Sequence, residues 1–198
     1  MGKQGQLIYI CGIDGAGKTT LAKKLSKRWE NTKYVSVKDS LYFTEQIRKE
    51  HGDTYREYFS PYFRGVQWAL DMLKMSNENI SPLLKKGTNV IIDRYFLCNL
   101  VYTSIKTKNQ YIILKQIYKN FVQPNKIYWL NVDPKLADKR IEKRGLKRAP
   151  KEYISQLYLA REKYKKLSLK YGEKIKVLNA STTEEAMEAI EKDREILS

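Results

Sequence analysis

Short apolar runs alternate along the chain with longer segments in which apolar residues recur every three or four positions. The short runs predict buried β-strands, and the longer segments predict amphipathic helices that pack against them. Five runs meet the strand pattern: residues 6–11, 34–37, 89–93, 127–132 and 175–178. Because strands and helices alternate, we predict an α/β fold over residues 1–198 as one domain, with a five-stranded parallel sheet and helices on both faces.

The helical segments differ in length and in the regularity of their pattern. They predict helices over about 18–30, 41–50, 53–77, 80–86, 96–105, 110–122, 134–144, 153–170 and 183–197. The third of these contains Pro61, which predicts an interruption or a kink at that point. The apolar side predicted for the same helix comprises Phe63, Val66, Leu70 and Leu73.

Residues 12–20 join the first predicted strand to the first predicted helix and read Gly-Ile-Asp-Gly-Ala-Gly-Lys-Thr-Thr. This stretch fulfils the pattern G-x-x-x-x-G-K-S/T, in which backbone N–H groups and a helix N-terminus surround phosphate oxygens. In that pattern Lys18 reaches the β- and γ-phosphates, and the Thr19 hydroxyl ligates Mg²⁺. The residues predicted to bind the nucleotide are Gly12, Gly15, Ala16, Gly17, Lys18, Thr19 and Thr20.

A second pair of polar residues, Asp93 and Arg94, directly follows the third predicted strand. Ligands of parallel α/β sheets bind at the carboxyl ends of the strands, so this pair is expected beside the phosphate loop. There Asp93 can contact Mg²⁺ through water, and Arg94 can hold a second phosphate group in a bidentate grip.

Composition and charge narrow the picture in a few respects. The chain has two cysteines, Cys11 and Cys98, and one histidine, which are too few for a disulfide framework or a histidine metal site. This composition favours a location in the reducing cytoplasm. The apolar runs are too short to span a bilayer, and we expect no signal peptide before the first strand. The net charge of +16 is spread along the chain and often paired with acids, so nucleic-acid binding is a minor expectation.

The order of the motifs resembles the thymidylate kinase family. Five segments carry the resemblance: residues 12–20, 93–102, 136–145, 158–164 and 178–181. The first matches the family's phosphate loop, including the aspartate Asp14. The second is similar to its Asp-Arg-Tyr-x-x-Ser-x-x-Ala-Tyr pattern, with Cys98 in place of Ser and Val101 in place of Ala. The third looks like the start of the family's lid.

This resemblance implies a P-loop NTPase fold with a short lid at about 144–152. It also implies transfer of the γ-phosphoryl group of ATP, with Mg²⁺, to the 5′-phosphate of a nucleoside monophosphate, with dTMP as the expected acceptor. The implied catalytic residues are Asp14, Lys18, Asp93, Arg94 and Arg144. Thr19 and Asp93 are expected to hold the metal, while Arg140 and Arg144 close over ATP. A homodimer is the expected assembly.

The resemblance also implies which residues bind the acceptor: Asp14, Lys38, Arg64, Trp68, Arg94, Tyr95 and Tyr102. Asp14 is expected to hydrogen-bond the sugar hydroxyl, and Tyr102 is expected to line the deoxyribose. Trp68 stands where the family has a phenylalanine that stacks on the base, and it can still stack on a pyrimidine.

The chain departs from the family where the acceptor is recognised. Met72 stands at the family's base-reading arginine and cannot donate a hydrogen bond, so Arg64, one turn before Trp68, is the expected substitute. Lys38 stands where the family has an arginine that contacts the acceptor phosphate. Lysine keeps the positive charge but cannot form the bidentate contact of a guanidinium group. The sequence therefore leaves two alternatives for the acceptor, dTMP or another nucleoside monophosphate.

Two other functions stay open at this point. A deoxynucleoside kinase would need a general base near the first or second strand, where Asp39 is the obvious candidate. A P-loop nucleotide-binding protein with a basic surface for nucleic acid would account for the net charge.

Overall fold

A computed structural model describes residues 4–197, with the side chains of all of these except 53, 56 and 194–197. Its centre is a parallel sheet in the strand order β2-β3-β1-β4-β5. The strands are β1 (Leu7–Gly12), β2 (Thr32–Val35), β3 (Asn89–Ile92), β4 (Lys126–Leu130) and β5 (Ile175–Leu178). The predicted five-stranded parallel sheet is thereby confirmed.

The α-helices of the described chain lie within or close to the predicted segments. The segment 53–77 is divided into two helices directly before Pro61, as that proline predicted. They are α1 (Lys18–Arg28), α2 (Tyr42–His51), α3 (Tyr55–Tyr58), α4 (Pro61–Lys74), α5 (Ser81–Lys85), α6 (Phe96–Tyr102), α7 (Lys108–Tyr118), α8 (Pro134–Lys143), α9 (Ile154–Tyr171) and α10 (Thr183–Leu197). A π-helical turn, Met75–Ile80, joins α4 to α5. Within residues 4–197, none of the helices combines the length and the apolar character that crossing a membrane requires.

The helices enclose the sheet on both faces, as predicted. Every residue of β1, the central strand, is buried, which is typical of a parallel strand covered from both sides. Helix α1 packs on β1 and β3 and against α10, whereas α6 and α9 pack against each other and contact β1 and β5. This arrangement leaves the carboxyl ends of the strands free to build a site.

The second strand was predicted at 34–37 but lies at Thr32–Val35. It pairs with β3 from Thr32 opposite Asn89 to Val35 opposite Ile92, where β3 ends, so no partner remains for residues beyond Val35. The apolar residue Val37 is buried instead in a 3-10 turn, Val37–Ser40.

The apolar side predicted for α4 is only partly correct, because Val66 and Leu73 pack against the core but Phe63 does not. Phe63 is 46% exposed, while the polar residues Gln67 and Asp71 are buried. The Asp71 carboxylate accepts hydrogen bonds from the backbone N–H groups of Phe43 and Thr44, at 2.8 and 3.2 Å, and from the Thr44 hydroxyl at 2.6 Å. These bonds satisfy backbone N–H groups in the first turn of α2. A polar face of α4 is therefore buried for a reason that the spacing of apolar residues cannot predict.

Candidate active site

The phosphate loop between β1 and α1 has the backbone that its glycines were predicted to allow. Gly12, Gly15 and Gly17 have φ values of 146°, 80° and 91°, which residues other than glycine rarely adopt. A Cβ atom on Gly15 would also lie 2.4 Å from the carbonyl oxygen of Ala137 in α8. The loop is therefore pressed against α8, and glycine is required there both by conformation and by space.

Lys18 lies across this loop in a buried position, with 5% of its surface exposed. Its Nζ atom donates a hydrogen bond to the carbonyl oxygen of Ile13 at 2.6 Å and lies 4.0 Å from Oδ1 of Asp14. Burial lowers the pKa of Lys18, and the nearby Asp14 carboxylate opposes that shift. The ammonium group is held over the loop by these two neighbours.

Thr19 and Asp93 meet at the N-terminus of α1. The Thr19 hydroxyl donates a hydrogen bond to Oδ2 of Asp93, which is itself buried. A hydroxyl and a carboxylate oxygen are ligands of the kind that Mg²⁺ prefers. The next residue, Thr20, is exposed on the first turn of the same helix. No group of three or more His, Cys, Asp or Glu side chains suited to a metal ion occurs among the described residues.

Asp14 is the centre of a buried charge cluster. Nη2 of Arg94 lies 2.5 Å from Asp14 Oδ1, and Nζ of Lys151 lies 3.1 Å from Oδ2. That Oδ2 atom has the ion pair but no hydrogen-bond partner among the described residues. Burial by itself would raise the pKa of Asp14, but Arg94, Lys18 and Lys151 together hold it well below its ordinary range. Asp14 is therefore ionised, and its two carboxylate oxygens face the cations of Arg94 and Lys151.

Tyr102 completes this cluster from α6. Its hydroxyl accepts a hydrogen bond from the backbone N–H of Asp14 at 3.2 Å, and the Lys151 ammonium lies 5.2 Å from the centre of its ring. Burial and the nearby Asp14 carboxylate raise the pKa of Tyr102, so the hydroxyl stays protonated. Four separate segments of the chain thus converge on one point at the end of β1.

Lys151 is a site residue that sequence reasoning missed, because Arg140 and Arg144 were expected to act from the lid. Arg144 is 48% exposed and pairs with Glu152 at 2.9 Å, a contact within the lid itself. Lys151 is the last cation of a stretch rich in Lys and Arg, residues 135–151, and follows Pro150, which opens a 3-10 turn that directs it inward. The density of basic residues was visible in the sequence, but nothing in it marked the last one.

Arg140 lies where the phosphate loop meets the end of the sheet. Its Nη1 atom is 3.4 Å from the carbonyl oxygens of both Gly15 and Ala16, and its Nη2 atom is 2.5 Å from that of Ser181. A small cleft adjoins it, lined by Ala16, Gly17, Leu21, Leu130, Arg140, Ala180, Thr182, Thr183 and Ala186. The structure therefore brings Arg140 to the loop and leaves Arg144 on the lid.

A cavity of about 700 Å³ opens beside Arg94 and Lys151, between α2, α4, α6, α9 and the lid. Four of the residues predicted to bind the acceptor line it: Arg64, Trp68, Arg94 and Tyr102. The cations on its wall are Arg48, Arg64, Arg94, Lys151 and Lys163. No Asp or Glu is among the described residues that line it, so the cavity favours an anionic ligand.

Three of the predicted acceptor residues do not line this cavity. Asp14 lies beside it, paired with Arg94 and Lys151 on its wall, whereas Tyr95 and Lys38 lie elsewhere. Tyr95 is fully buried in an aromatic cluster, and its hydroxyl donates to the carbonyl oxygen of Val122 at 3.1 Å. The residue after Arg94 turns away from the strand end because α6 begins there, so its ring enters the core. Lys38 is exposed in the turn Val37–Ser40 and is not part of the cavity wall.

A buried hydrogen-bond group supports the site from behind. The Cys98 thiol accepts hydrogen bonds from the hydroxyls of Tyr9 and Tyr164, at 3.1 and 3.0 Å. These bonds join β1, α6 and α9, which are the elements that carry the phosphate loop, Tyr102 and one wall of the cavity. Lys163 adds a bond from its Nζ to the carbonyl oxygen of Val101 at 2.8 Å.

A glycine loop of the phosphate-binding pattern, a buried lysine and an acidic strand end on this sheet define a P-loop nucleotide-binding protein, here with a cavity lined by cations beside the loop. A sequence model of the thymidylate kinase family matches residues 10–190. The chain therefore belongs to the thymidylate kinase family.

Individual relatives agree with this assignment. The chain is 32% identical over 166 residues to a probable thymidylate kinase of Staphylothermus marinus, covering 81% of this chain and 80% of that protein. It is 30% identical over 190 residues to a probable thymidylate kinase of Thermococcus gammatolerans, covering 90% of each. A solved structure of thymidylate kinase from Candida albicans has the same fold, with a TM-score of 0.78 at 18% identity, over 99% of this chain and 93% of that one.

Proposed function

We propose that this chain transfers the γ-phosphoryl group of ATP to the 5′-phosphate of dTMP, which yields ADP and dTDP. The observation that carries the proposal is the meeting of the phosphate loop and the cationic cavity at Asp14 and Arg94, 2.5 Å apart. A donor held by the loop and an acceptor held in the cavity would bring their phosphate groups together at this point. Family membership and the names of the relatives support dTMP as the acceptor.

Transfer of this kind depends mainly on positioning and on neutralising charge. Lys18 would stabilise the charge on the transferred group, and Arg94 would bridge the donor and acceptor phosphates. Asp14 would accept a hydrogen bond from the sugar hydroxyl, and Tyr102 would lie against the deoxyribose. Trp68 would stack on the base from the wall of the cavity.

We also propose Mg²⁺ as the metal, held through Thr19 and Asp93. Their oxygens suit a hard cation, and the ion would neutralise charge on the donor phosphates when bound. A cytoplasmic location and a homodimer are further proposals. The two free, buried thiols fit a reducing compartment, and the exposed rings of Tyr58 and Phe63 offer apolar surface to a second copy.

The lid residue that we expect to matter most is Lys151. Replacing it by alanine should lower kcat/KM for the acceptor by about 10- to 100-fold, because an ammonium group 3.1 Å from Asp14 is lost at the point of transfer. The matched control is Lys147→Ala, an exposed lysine of the same loop, which should change kcat/KM by less than about twofold. Equal effects of the two substitutions would contradict a specific role for Lys151.

The proposed function is tested by acceptor-dependent release of ADP. Purified protein is assayed with ATP, Mg²⁺ and, one at a time, dTMP, dUMP, UMP, CMP, dGMP and AMP, with thymidine as a control that lacks the 5′-phosphate. We expect dTMP to give the highest rate and thymidine to give none. Faster turnover of thymidine than of dTMP would favour a nucleoside kinase, and no turnover with any monophosphate would refute the proposal.

A further inference from the structure

The inner end of the acceptor cavity is built from α4 and α6. Arg64, Trp68 and Met72 lie at one-turn intervals along α4, and all three line the cavity. At a rise of about 1.5 Å per residue, Met72 lies about 6 Å beyond Trp68 along the helix. Met72 is fully buried, and its thioether sulfur is a weak acceptor that donates nothing.

Two polar side chains at this end, Asn99 in α6 and Thr103 directly after it, already have partners within the protein. Nδ2 of Asn99 donates to the carbonyl oxygen of Gly65 at 2.8 Å, and the Thr103 hydroxyl donates to Oδ1 of Asn99 at 2.7 Å. The two helices approach closely here, since a Cβ atom on Gly65 would lie 2.3 Å from the Thr103 side chain. The orientation of the Asn99 amide is therefore set by the packing of α4 on α6.

Resting on the proposed function, we propose that the acceptor site does not distinguish a carbonyl group from an amino group at C4 of a pyrimidine base. The base is held by stacking on Trp68 and by its shape against Met72, while Arg94 and Lys151 hold the phosphate that all the acceptors share. The substrate class is then deoxypyrimidine monophosphates of both the 4-oxo and the 4-amino kind.

The physical basis is the difference between two kinds of discrimination. A site built to hydrogen-bond one group rejects the wrong partner by about 10⁴- to 10⁵-fold, because its own buried polar groups are left unpaired. An apolar wall discriminates only by fit, and the two groups at C4 are nearly equal in size. Arg64, expected as the substitute for the base-reading arginine, lies about 12 Å from Met72 along α4 and so stands at the other end of this row. An inner end made of Met72 and Trp68 therefore leaves only a small preference.

The decisive pair of acceptors is dTMP and 5-methyl-dCMP, which share the sugar, the phosphate and the 5-methyl group. They differ at C4 and at the neighbouring N3, which donates a hydrogen bond in dTMP and accepts one in 5-methyl-dCMP. We expect their kcat/KM values, and their Kd values from calorimetry without ATP, to lie within about 30-fold of each other, well below the range of a hydrogen-bonding site. A larger preference for either acceptor overturns this inference. If neither compound binds or reacts, the proposed function itself has failed, and that result is distinct from turnover of dTMP alone.

Two substitutions at one position sharpen the test. Met72→Lys places a donor at the inner end and should shift the kcat/KM ratio toward dTMP by at least about tenfold, because an ammonium group pairs with a carbonyl and not with an amino group. Met72→Leu keeps the wall apolar and should leave the ratio at its wild-type value, whatever the absolute rates. A ratio that moves equally in both variants overturns the inference. If the Met72→Lys protein does not fold, the inference is tested by the dTMP to 5-methyl-dCMP ratio of kcat/KM in the wild type and in Met72→Leu.

Discussion

Replacing Lys18 by alanine is expected to lower kcat for phosphoryl transfer by about a thousandfold. The ammonium group is buried over the phosphate loop, where water cannot replace the charge stabilisation that it provides. Because that stabilisation matters most as charge develops on the transferred group, kcat should fall far more than KM for ATP rises. Steady-state kinetics with varied ATP at saturating acceptor measure both quantities.

The control for Lys18→Ala is Lys27→Ala, an exposed lysine on the same helix. It should leave kcat unchanged within about twofold, since a solvated charge outside the site contributes little. Thermal unfolding of all three proteins checks that the folded state is kept. A Lys18→Ala protein that is folded and retains more than about a tenth of the wild-type kcat would contradict the assigned role.

Replacing Asp14 by asparagine is expected to lower the free energy of unfolding at pH 7 by about 3 kcal/mol. The substitution leaves the cations of Arg94 and Lys151 without their carboxylate in a largely buried position. This loss lies at the lower end of the range measured when one partner of a buried ion pair is removed. Lys151 is 40% exposed, so its ammonium group can be solvated in the variant. Urea unfolding of the wild type and the variant, at matched ionic strength, measures the difference.

The pH dependence of that difference has a definite sign. The pKa of Asp14 is lower in the folded state than its unfolded value of about 3.9, so ionisation favours folding. The stabilisation is complete above that value and is lost as the pH falls toward the folded pKa. The difference between wild type and Asp14→Asn should therefore be constant above about pH 5 and shrink as the pH is lowered through 3.

The matched control for Asp14→Asn is Asp39→Asn, at an exposed aspartate in the turn after β2. It should change the free energy of unfolding by less than about 0.5 kcal/mol. A wild-type-minus-Asp14→Asn difference that grows as the pH falls would show that the Asp14 carboxylate is not stabilised by its ion pairs.

The parts of the fold that were predicted correctly are those that local patterns specify. The runs at β1, β3 and β4 are apolar and buried over most of their length, and buried parallel strands need that pattern and no knowledge of their partners. The phosphate loop was recognisable for the same reason. The positive φ values of Gly12, Gly15 and Gly17 belong to the loop itself, and only glycine adopts them without strain.

The errors in the fold arose where a partner distant in the sequence decides the outcome. The end of β2 follows the end of β3, because a strand continues only as far as its neighbour can pair with it. The buried face of α4 includes Asp71 because that carboxylate caps α2, and a count of apolar residues treats it as a surface position.

The site shows the same division. Lys18, Thr19, Asp93 and Arg94 were predicted, since each lies at a strand end or a helix start whose place in a parallel sheet is general. The sequence did not predict that Lys151 points inward or that Tyr95 is buried. Each depends on how a turn or a helix start orients one side chain.

By itself, the amino-acid sequence determined the order of strands and helices, the phosphate loop and the family, since these follow from residue types at fixed local spacing. The tertiary structure decided which cation reaches Asp14 and which side chains form the inner end of the acceptor cavity. Lys151 and Asp14 approach to 3.1 Å only when the lid folds over the end of β1. Such contacts between distant segments depend on the packing of whole elements, and no local pattern in the chain records that packing.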